Sequence, residues 1–240
     1  MSAAALLGVI AAAATLLGAF AVARNARRGL HVIELFVAFA AGFMLALAIV
    51  AAVPEAISRH PATAAPVILL GYLLVHFSQH TLAPHFHFGE ETHQLSKRAS
   101  QAAVVGLLLH TFFDGVAIAS GFLVNQALGV LFFLGIVLHK LPEGVAVASL
   151  VLAAGGSIRA SYIAAACMGV ATIFGVVLTA HVGVLTEYGL ALSAGVTIYV
   201  AASNLVPEFQ HKRTGAITLA FFAGAGAFLL AHWVLDRALG

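Results

Sequence analysis

Long apolar segments separated by short polar breaks make up most of the chain. Each segment is about twenty residues long, which is the length that a helix needs to cross the hydrocarbon core of a bilayer. Because backbone polar groups in lipid have to be satisfied within their own segment, we interpret these segments as transmembrane helices. Eight spans are predicted, at residues 3–23, 31–53, 65–83, 101–124, 127–153, 160–181, 187–207 and 215–236.

The composition supports this interpretation and excludes other classes of protein. Hydrophobic residues make up 62% of the chain and charged residues only 8%, whereas about a quarter of the residues in soluble domains are charged. The net charge of +2 is too small to indicate binding of nucleic acid. The sequence therefore predicts an all-α integral membrane protein, with the lipid bilayer as its surroundings and one transmembrane domain over residues 1–240.

Positive charges between the spans predict the orientation of the chain. Lys and Arg residues are concentrated in the loops on one side of the membrane, and by the positive-inside rule that side faces the cytoplasm. Both termini are then extracytoplasmic. The histidine-containing loop after the third span, at about residues 84–100, is predicted to be cytoplasmic.

Two copies of one phrase, 29 residues apart, carry the candidate chemistry. The fourth span contains His110-Thr-Phe-Phe-Asp114-Gly, and the fifth contains His139-Lys-Leu-Pro-Glu143-Gly. Residues four apart share one face of a helix, so each histidine and its carboxylate form a two-armed chelate near the middle of a span. Ionisable side chains inside a membrane are costly and indicate a ligand or a partner. We therefore predict one metal site formed by His110, Asp114, His139 and Glu143.

The donor atoms of this site favour one class of metal. Two imidazole nitrogens and two carboxylate oxygens suit a four-coordinate divalent ion, and tetrahedral geometry favours Zn²⁺. Ca²⁺ and Mg²⁺ take more oxygen ligands. The ligand types leave Cd²⁺, Fe²⁺, Mn²⁺ and Co²⁺ open. In the structural alternative, the polar pairs only tie helices together, and their duplication at matched depth argues against it.

A second repeat relates the second and seventh spans. Ala41-Gly42 and Ala194-Gly195 each precede a Val-Pro-Glu sequence by the same interval. With four spans between them, the two segments cross the bilayer in opposite directions, which is typical of inverted-topology repeats in secondary transporters. The predicted arrangement is 3+2+3, with spans 1–3 mirrored by spans 6–8 around a central hairpin of spans 4 and 5.

With these features the sequence resembles the ZIP metal transporters, also called the ZRT/IRT-like proteins. The resemblance rests on the paired phrases, on eight spans with both termini outside, and on the histidine-rich loop after the third span. It implies uptake of a divalent metal, typically zinc, into the cytoplasm, with spans 1, 4, 5 and 6 moving against a scaffold of spans 2, 3, 7 and 8. It also implies a homodimer, and the short chain without a targeting extension favours a bacterial inner membrane.

The primary site of the family maps onto the four residues of the paired phrases, whereas the second metal site departs from the family pattern. Positions that hold Asn, Asp or Glu in many members are Thr111, Lys140 and Thr172 here. We therefore expect a mononuclear site in which the ammonium of Lys140 replaces the second metal. In the alternative, the side chain of Lys140 extends to water at the membrane surface or in a cavity.

Further histidines and carboxylates near the ends of the spans are candidates for metal access and release. They are His76, His80, His85, His87, Glu208 and His211 on the predicted cytoplasmic side, and His181 and Glu187 on the outer side. The loop residues His85 and His87 are expected to hold metal transiently, and a polar loop without metal affinity is the alternative. Glu55 is expected to be a solvated cap at the end of the second span, and His232 an interfacial residue without a role in transport.

Two other functions stay open from the residues alone, an intramembrane zinc hydrolase and a metal sensor without transport. A hydrolase leaves one metal position to water and keeps a free carboxylate as base. Because both carboxylates of the predicted site serve as ligands, the protein is predicted not to be an enzyme. Metal flux into vesicles separates a transporter from a sensor.

Overall fold

A computed structural model of the protein describes residues 3–23, 30–81, 97–210 and 214–239. These ranges are almost entirely helical and contain no strand. The helices are α1 (Ala3–Ala23), α2 (Leu30–Ala46), α3 (Val53–Arg59), α4 (Ala64–Thr81), α5 (Lys97–Val124), α6 (Gln126–Ala153), α7 (Ile158–Thr179), α8 (Gly183–Ile198), α9 (Val206–Gln210) and α10 (Gly215–Leu239). Two π-helical segments, Leu47–Ala52 and Tyr199–Leu205, complete the set.

Seven helical stretches within the described ranges are long and apolar enough to cross a membrane. Two of them are composite: α2 and α3 form the second span with the first π-helical segment, and α8 and α9 form the seventh with the second. An eighth apolar helix, Ala64–His80 in α4, is shorter and lies where the third span is predicted. The prediction of an all-α, multi-pass membrane protein is therefore confirmed.

The second and seventh spans continue past the prolines near which the sequence analysis ended them. Helix α3 runs on to Arg59 and α9 to Gln210, and each follows directly on a π-helical segment. A proline inside a helix removes one backbone donor and crowds the preceding turn, and a π-helical turn is a common site of such irregularity. Glu55 is therefore not a cap at the end of the span, because it lies in the first turn of α3 and accepts a hydrogen bond from Arg59 at 2.8 Å.

Reciprocal glycine contacts bring α2 to α10 and α4 to α8 at backbone distance. A Cβ atom added at any of four glycines would collide with a carbonyl oxygen of the partner helix. The contacts, given as glycine and carbonyl, are Gly42 with Phe221, Gly224 with Phe39, Gly195 with Ile68 and Gly71 with Leu192. Each residue of the α2–α10 contacts is separated by the same number of positions from the corresponding residue of the α4–α8 contacts. This is the packing that a duplicated chain predicts, because small residues allow close helix approach in lipid.

The same kind of contact joins α1 to α6 and α5 to α7. The glycine and carbonyl pairs are Gly18 with Leu141, Gly144 with Thr15, Gly115 with Thr172 and Gly175 with Phe112. Helices α1, α5, α6 and α7 pack mainly against one another, whereas α2 packs mainly on α10 and α4 on α8. This grouping is the one that the family resemblance implies. The 3+2+3 arrangement and the relative motion of the two groups stay predictions.

Candidate metal centre

Helices α5 and α6 position the four predicted ligands. A single residue, Asn125, separates the two helices, and its side-chain oxygen accepts a hydrogen bond at 2.7 Å from a backbone N–H in the first turn of α6. This cap satisfies one of the donors that a helix start leaves unpaired. The short connection folds α5 and α6 into a hairpin, so that the two phrases, at similar distances from the turn, meet at one depth.

The four side chains converge between the helices. Each offers one ligand atom, these atoms all lie within 4.8 Å of one another, and no residue of the four is more than 8% exposed. Nε2 of His110 lies 3.4 Å from Oδ2 of Asp114 and 3.5 Å from Oε1 of Glu143. Nε2 of His139 lies 3.4 Å from the same Asp114 oxygen. Ligands at about 2.0–2.1 Å from a tetrahedral zinc ion are about 3.3–3.4 Å apart, so the spacing suits such an ion.

His139 is held in place by its own helix. Its Nδ1 lies 3.1 Å from the carbonyl oxygen of Gly135, one turn earlier. An imidazole that donates from Nδ1 keeps a lone pair on Nε2, and Nε2 is buried without a hydrogen-bond partner in the described part of the chain. Metal-binding histidines are commonly oriented in this way. Nδ1 of His110, in contrast, is buried and lacks such a partner.

Lys140 is completely buried and lies between the two carboxylates. Its Nζ donates a hydrogen bond to Oε2 of Glu143 at 2.6 Å and forms an ion pair with Oδ2 of Asp114 at 2.7 Å. The side chain is 0% exposed, so it does not extend to water as the alternative interpretation required. An ammonium at this depth is stabilised by the two negative charges beside it.

Thr111 and Thr172 occupy the other two positions of the family's second site. The hydroxyl of Thr111 lies 3.1 Å from Oε1 of Glu143 and 2.7 Å from the carbonyl oxygen of Leu107, and its single proton serves one of them at a time. The hydroxyl of Thr172 donates to the carbonyl of Met168 at 3.3 Å. Neither threonine adds a negative charge or a carboxylate ligand at these positions.

His76 and His80 lie together near the C-terminal end of α4. Their rings stack with centroids 4.0 Å apart. The hydroxyl of Tyr199, in the second π-helical segment, lies 3.1 Å from Nδ1 of His80. Tyr72 stacks on His76 from the other side. Sequence reasoning found the histidine pair and missed the two tyrosines, although Tyr72, His76 and His80 are spaced by four and therefore share one helix face.

The remaining candidates lie away from the cluster or outside the described residues. His181 and Glu187 are exposed and the structure does not bring either into the cluster of four ligands. Glu208 lies in α9 and is partly buried. The loop histidines His85 and His87, and also His211, lie outside the described residues.

A cavity of about 320 Å³ opens at the Asn125 end of the hairpin, between the second, fifth and eighth spans. Its polar lining includes Glu55, Ser58, His232 and Asp236. Nδ1 of His232 lies 3.2 Å from Oδ2 of Asp236. The sequence analysis gave His232 no role, and its spacing of four from Asp236 is the signal that could have indicated this pair.

Comparison with known proteins gives a match that covers most of the chain. A family model described as ZIP zinc transporter matches residues 78–232. This range is more than half of the chain and contains all four candidate ligands and Lys140. A comparison with curated proteins found no match.

Proposed function

The chain belongs to the ZIP zinc transporter family, and on this premise we propose that it carries zinc across the membrane into the cytoplasm. Members of the family are divalent-metal transporters, so an enzymatic function is excluded. The observation that carries the proposal is the buried group of two imidazoles and two carboxylates, whose ligand atoms lie within 4.8 Å of one another. A site buried at mid-span suits an ion in transit, because its four ligand residues are shielded from water, none of them being more than 8% exposed.

His110, Asp114, His139 and Glu143 are the proposed ligands of the transported ion. Two neutral nitrogens and two anionic oxygens, with spacings of 3.4 to 3.5 Å, support tetrahedral binding of Zn²⁺. Cd²⁺, Fe²⁺, Mn²⁺ and Co²⁺ are proposed as further substrates, because sites with these ligands select among divalent metals by geometry and availability as well as by affinity.

One ion is bound at a time, and Lys140 occupies the place of a second. The ammonium contacts both carboxylates at 2.6 and 2.7 Å. With both carboxylates ionised and Lys140 protonated, the metal-free site carries a formal charge of −1, and a divalent ion changes it to +1. Without Lys140 the same two states would be −2 and 0, so the fixed cation reduces the magnitude of the charge of the empty site from 2 to 1. An empty site with less charge is less costly to keep inside the membrane.

Residues on the predicted cytoplasmic side assist release. The stacked pair of His76 and His80 at the end of α4 is the proposed exit-side site, with Glu208 of α9 as a further ligand. His85, His87 and His211, which lie outside the described residues, are proposed as further exit-side ligands. His181 and Glu187 are proposed to attract metal on the outer side, where both are exposed.

The setting in the cell follows the same proposal. The chain lies in the inner membrane as one transporter domain over residues 1–240, with both termini extracytoplasmic and the histidine loop at about 84–100 in the cytoplasm. The positive charges between the spans support this orientation. Assembly as a homodimer is proposed by analogy with the family.

Zinc uptake into proteoliposomes tests the function. The purified full-length chain is compared with a variant that carries both His139→Ala and Glu143→Ala, which removes the α6 half of the site. Saturable uptake by the wild type and its loss in the variant are expected. A second variant with His232→Ala and Asp236→Ala removes a similarly spaced pair outside the site and should keep uptake. Tight zinc binding without uptake by the wild type would instead identify a sensor.

A further inference from the structure

Nδ1 of His110 and Nε2 of Gln79 are both buried and lack a hydrogen-bond partner among the described residues. Buried polar groups are nearly always paired, so each such atom calls for an explanation. The equivalent histidine of α6, His139, has its Nδ1 paired with the carbonyl of Gly135. His110 therefore lacks, within its own helix, the contact that orients its counterpart.

Gln79 lies on α4, beside the turn of α5 that precedes His110. The two helices touch at Gly106, where an added Cβ atom would lie 3.0 Å from the carbonyl oxygen of Ser78 and 3.7 Å from Cα of Gln79. His110 follows Gly106 by one helical turn, and helical side chains lean over the turn N-terminal to their own Cα. The imidazole of His110 therefore leans toward the level at which α4 and α5 meet.

We infer that Gln79 is a positioning residue for His110, and that its amide bonds Nδ1 directly or through one water when metal is bound. The inference rests on the proposed function, because it requires that His110 binds metal. Nε2 is the atom that faces the site, 3.4 Å from Oδ2 of Asp114. A neutral imidazole that gives its Nε2 lone pair to a metal carries its proton on Nδ1. That N–H needs an acceptor, as in most metal-binding histidines, and the oxygen of an amide is one.

An amide suits this position because it serves the site in both states. In the metal-free site, a proton on Nε2 leaves Nδ1 as an acceptor, and since it is not bonded directly to the amide N–H of Gln79, the two are joined through one water. In the loaded site the proton is on Nδ1, and it is donated to the amide oxygen once the amide has turned over. The change of tautomer is balanced when water accepts the proton from Nε2 and returns one to Nδ1, so that the imidazole is neutral in both states. A methionine or leucine at this position offers neither contact.

The proposed contact would also link two groups of helices. α4 packs mainly on α8, whereas α5 packs mainly with α6 and α7. The orientation of His110, and with it the zinc affinity, therefore depends on the position of α4 relative to α5. A shift that separates Gln79 from His110 weakens zinc binding and favours release of the ion.

Zinc affinity of the purified full-length chain, measured by competition with a chromophoric chelator, tests the inference. Gln79→Leu is expected to weaken binding about tenfold, the lower end of the effect of an outer-shell partner. Gln79→Glu keeps an acceptor oxygen and should bind at least as tightly as the wild type. Gln101→Leu makes the same change at an exposed position of α5 and is the matched control. If Gln79→Leu does not fold, Gln79→Met replaces it.

Two further measurements distinguish positioning from general packing. The visible spectrum of bound Co²⁺ should change in Gln79→Leu and not in Gln101→Leu, because the geometry at His110 changes. In a His110→Ala background, Gln79→Leu should weaken metal binding no further, because the two residues act as one unit. Wild-type affinity in Gln79→Leu, or an equal loss with and without His110, overturns the inference. A wild type that binds no zinc overturns the proposed function instead.

Discussion

The ammonium of Lys140 donates to Oε2 of Glu143 at 2.6 Å, with the two side chains 0% and 7% exposed. The other oxygen of Glu143 faces His110 at 3.5 Å and Thr111 at 3.1 Å. One carboxylate therefore joins the predicted metal position to a fixed cation. Because Lys140 is a buried cation between two buried carboxylates, its removal is expected to affect stability as well as metal binding.

We expect Lys140→Met to destabilise the metal-free protein. Removing one partner of a buried ion pair leaves an uncompensated charge and costs about 3–5 kcal/mol. Zinc should restore much of the loss, because the ion supplies positive charge to the same carboxylates and binds only the folded chain. Thermal unfolding in detergent, with and without zinc, measures both effects. Arg59→Met removes the cation of an exposed pair with Glu55 and should change the stability by less than about 1 kcal/mol.

The stoichiometry of bound metal should rise in Lys140→Asp. A carboxylate in place of the ammonium removes the fixed cation and adds an oxygen ligand, so that a second divalent ion can bind beside the first. Elemental analysis of the purified protein should find one zinc per chain in the wild type and two in the variant, with transport retained. A variant that folds and still binds one ion would contradict the proposal that Lys140 replaces a second metal.

Two glycines on α10 should respond differently to the same substitution. A Cβ atom at Gly224 would collide with the carbonyl of Phe39, whereas one at Gly226 would meet nothing within 4 Å. Gly224→Ala should therefore push α10 away from α2 and destabilise the protein by about 1–3 kcal/mol, as overpacking of a tight interface does. Gly226→Ala should be nearly neutral. Equal unfolding temperatures of the two variants would rule out the close contact between α2 and α10.

Replacement of both exit-side histidines should lower the maximal rate of transport without weakening the binding of zinc from the outer side. If His76 and His80 receive zinc after the intramembrane site, their loss lowers the maximal rate and leaves KM almost unchanged. Initial rates of zinc uptake in proteoliposomes over a range of concentrations separate the two parameters. Tyr199→Phe removes only the hydroxyl that contacts His80 and should give a smaller decrease. A rise in KM at constant maximal rate would indicate instead that these residues act in the binding of zinc from the outer side.

Much of this protein follows from local rules. The spans could be predicted because lipid requires every backbone group to be bonded within its helix, which makes length and hydrophobicity sufficient. The chelating pairs could be predicted because residues four apart share a helix face, so that His110 with Asp114 and His139 with Glu143 needed no tertiary information. The short hairpin turn at Asn125 then brought the two pairs to one depth.

Contacts between helices that are distant in the chain were decided only by packing. From the sequence alone, Lys140 could lie either near water or between the carboxylates. The close approach of α5 to α6 places it between the carboxylates. The spans that continue past Pro54 and Pro207 could not be predicted, because helix propensity treats proline as a stop and takes no account of a π-helical turn before it. Nothing in the sequence singles out Gln79. Its proposed role in positioning His110 depends on Gly106, which lets α4 approach the helix that holds His110.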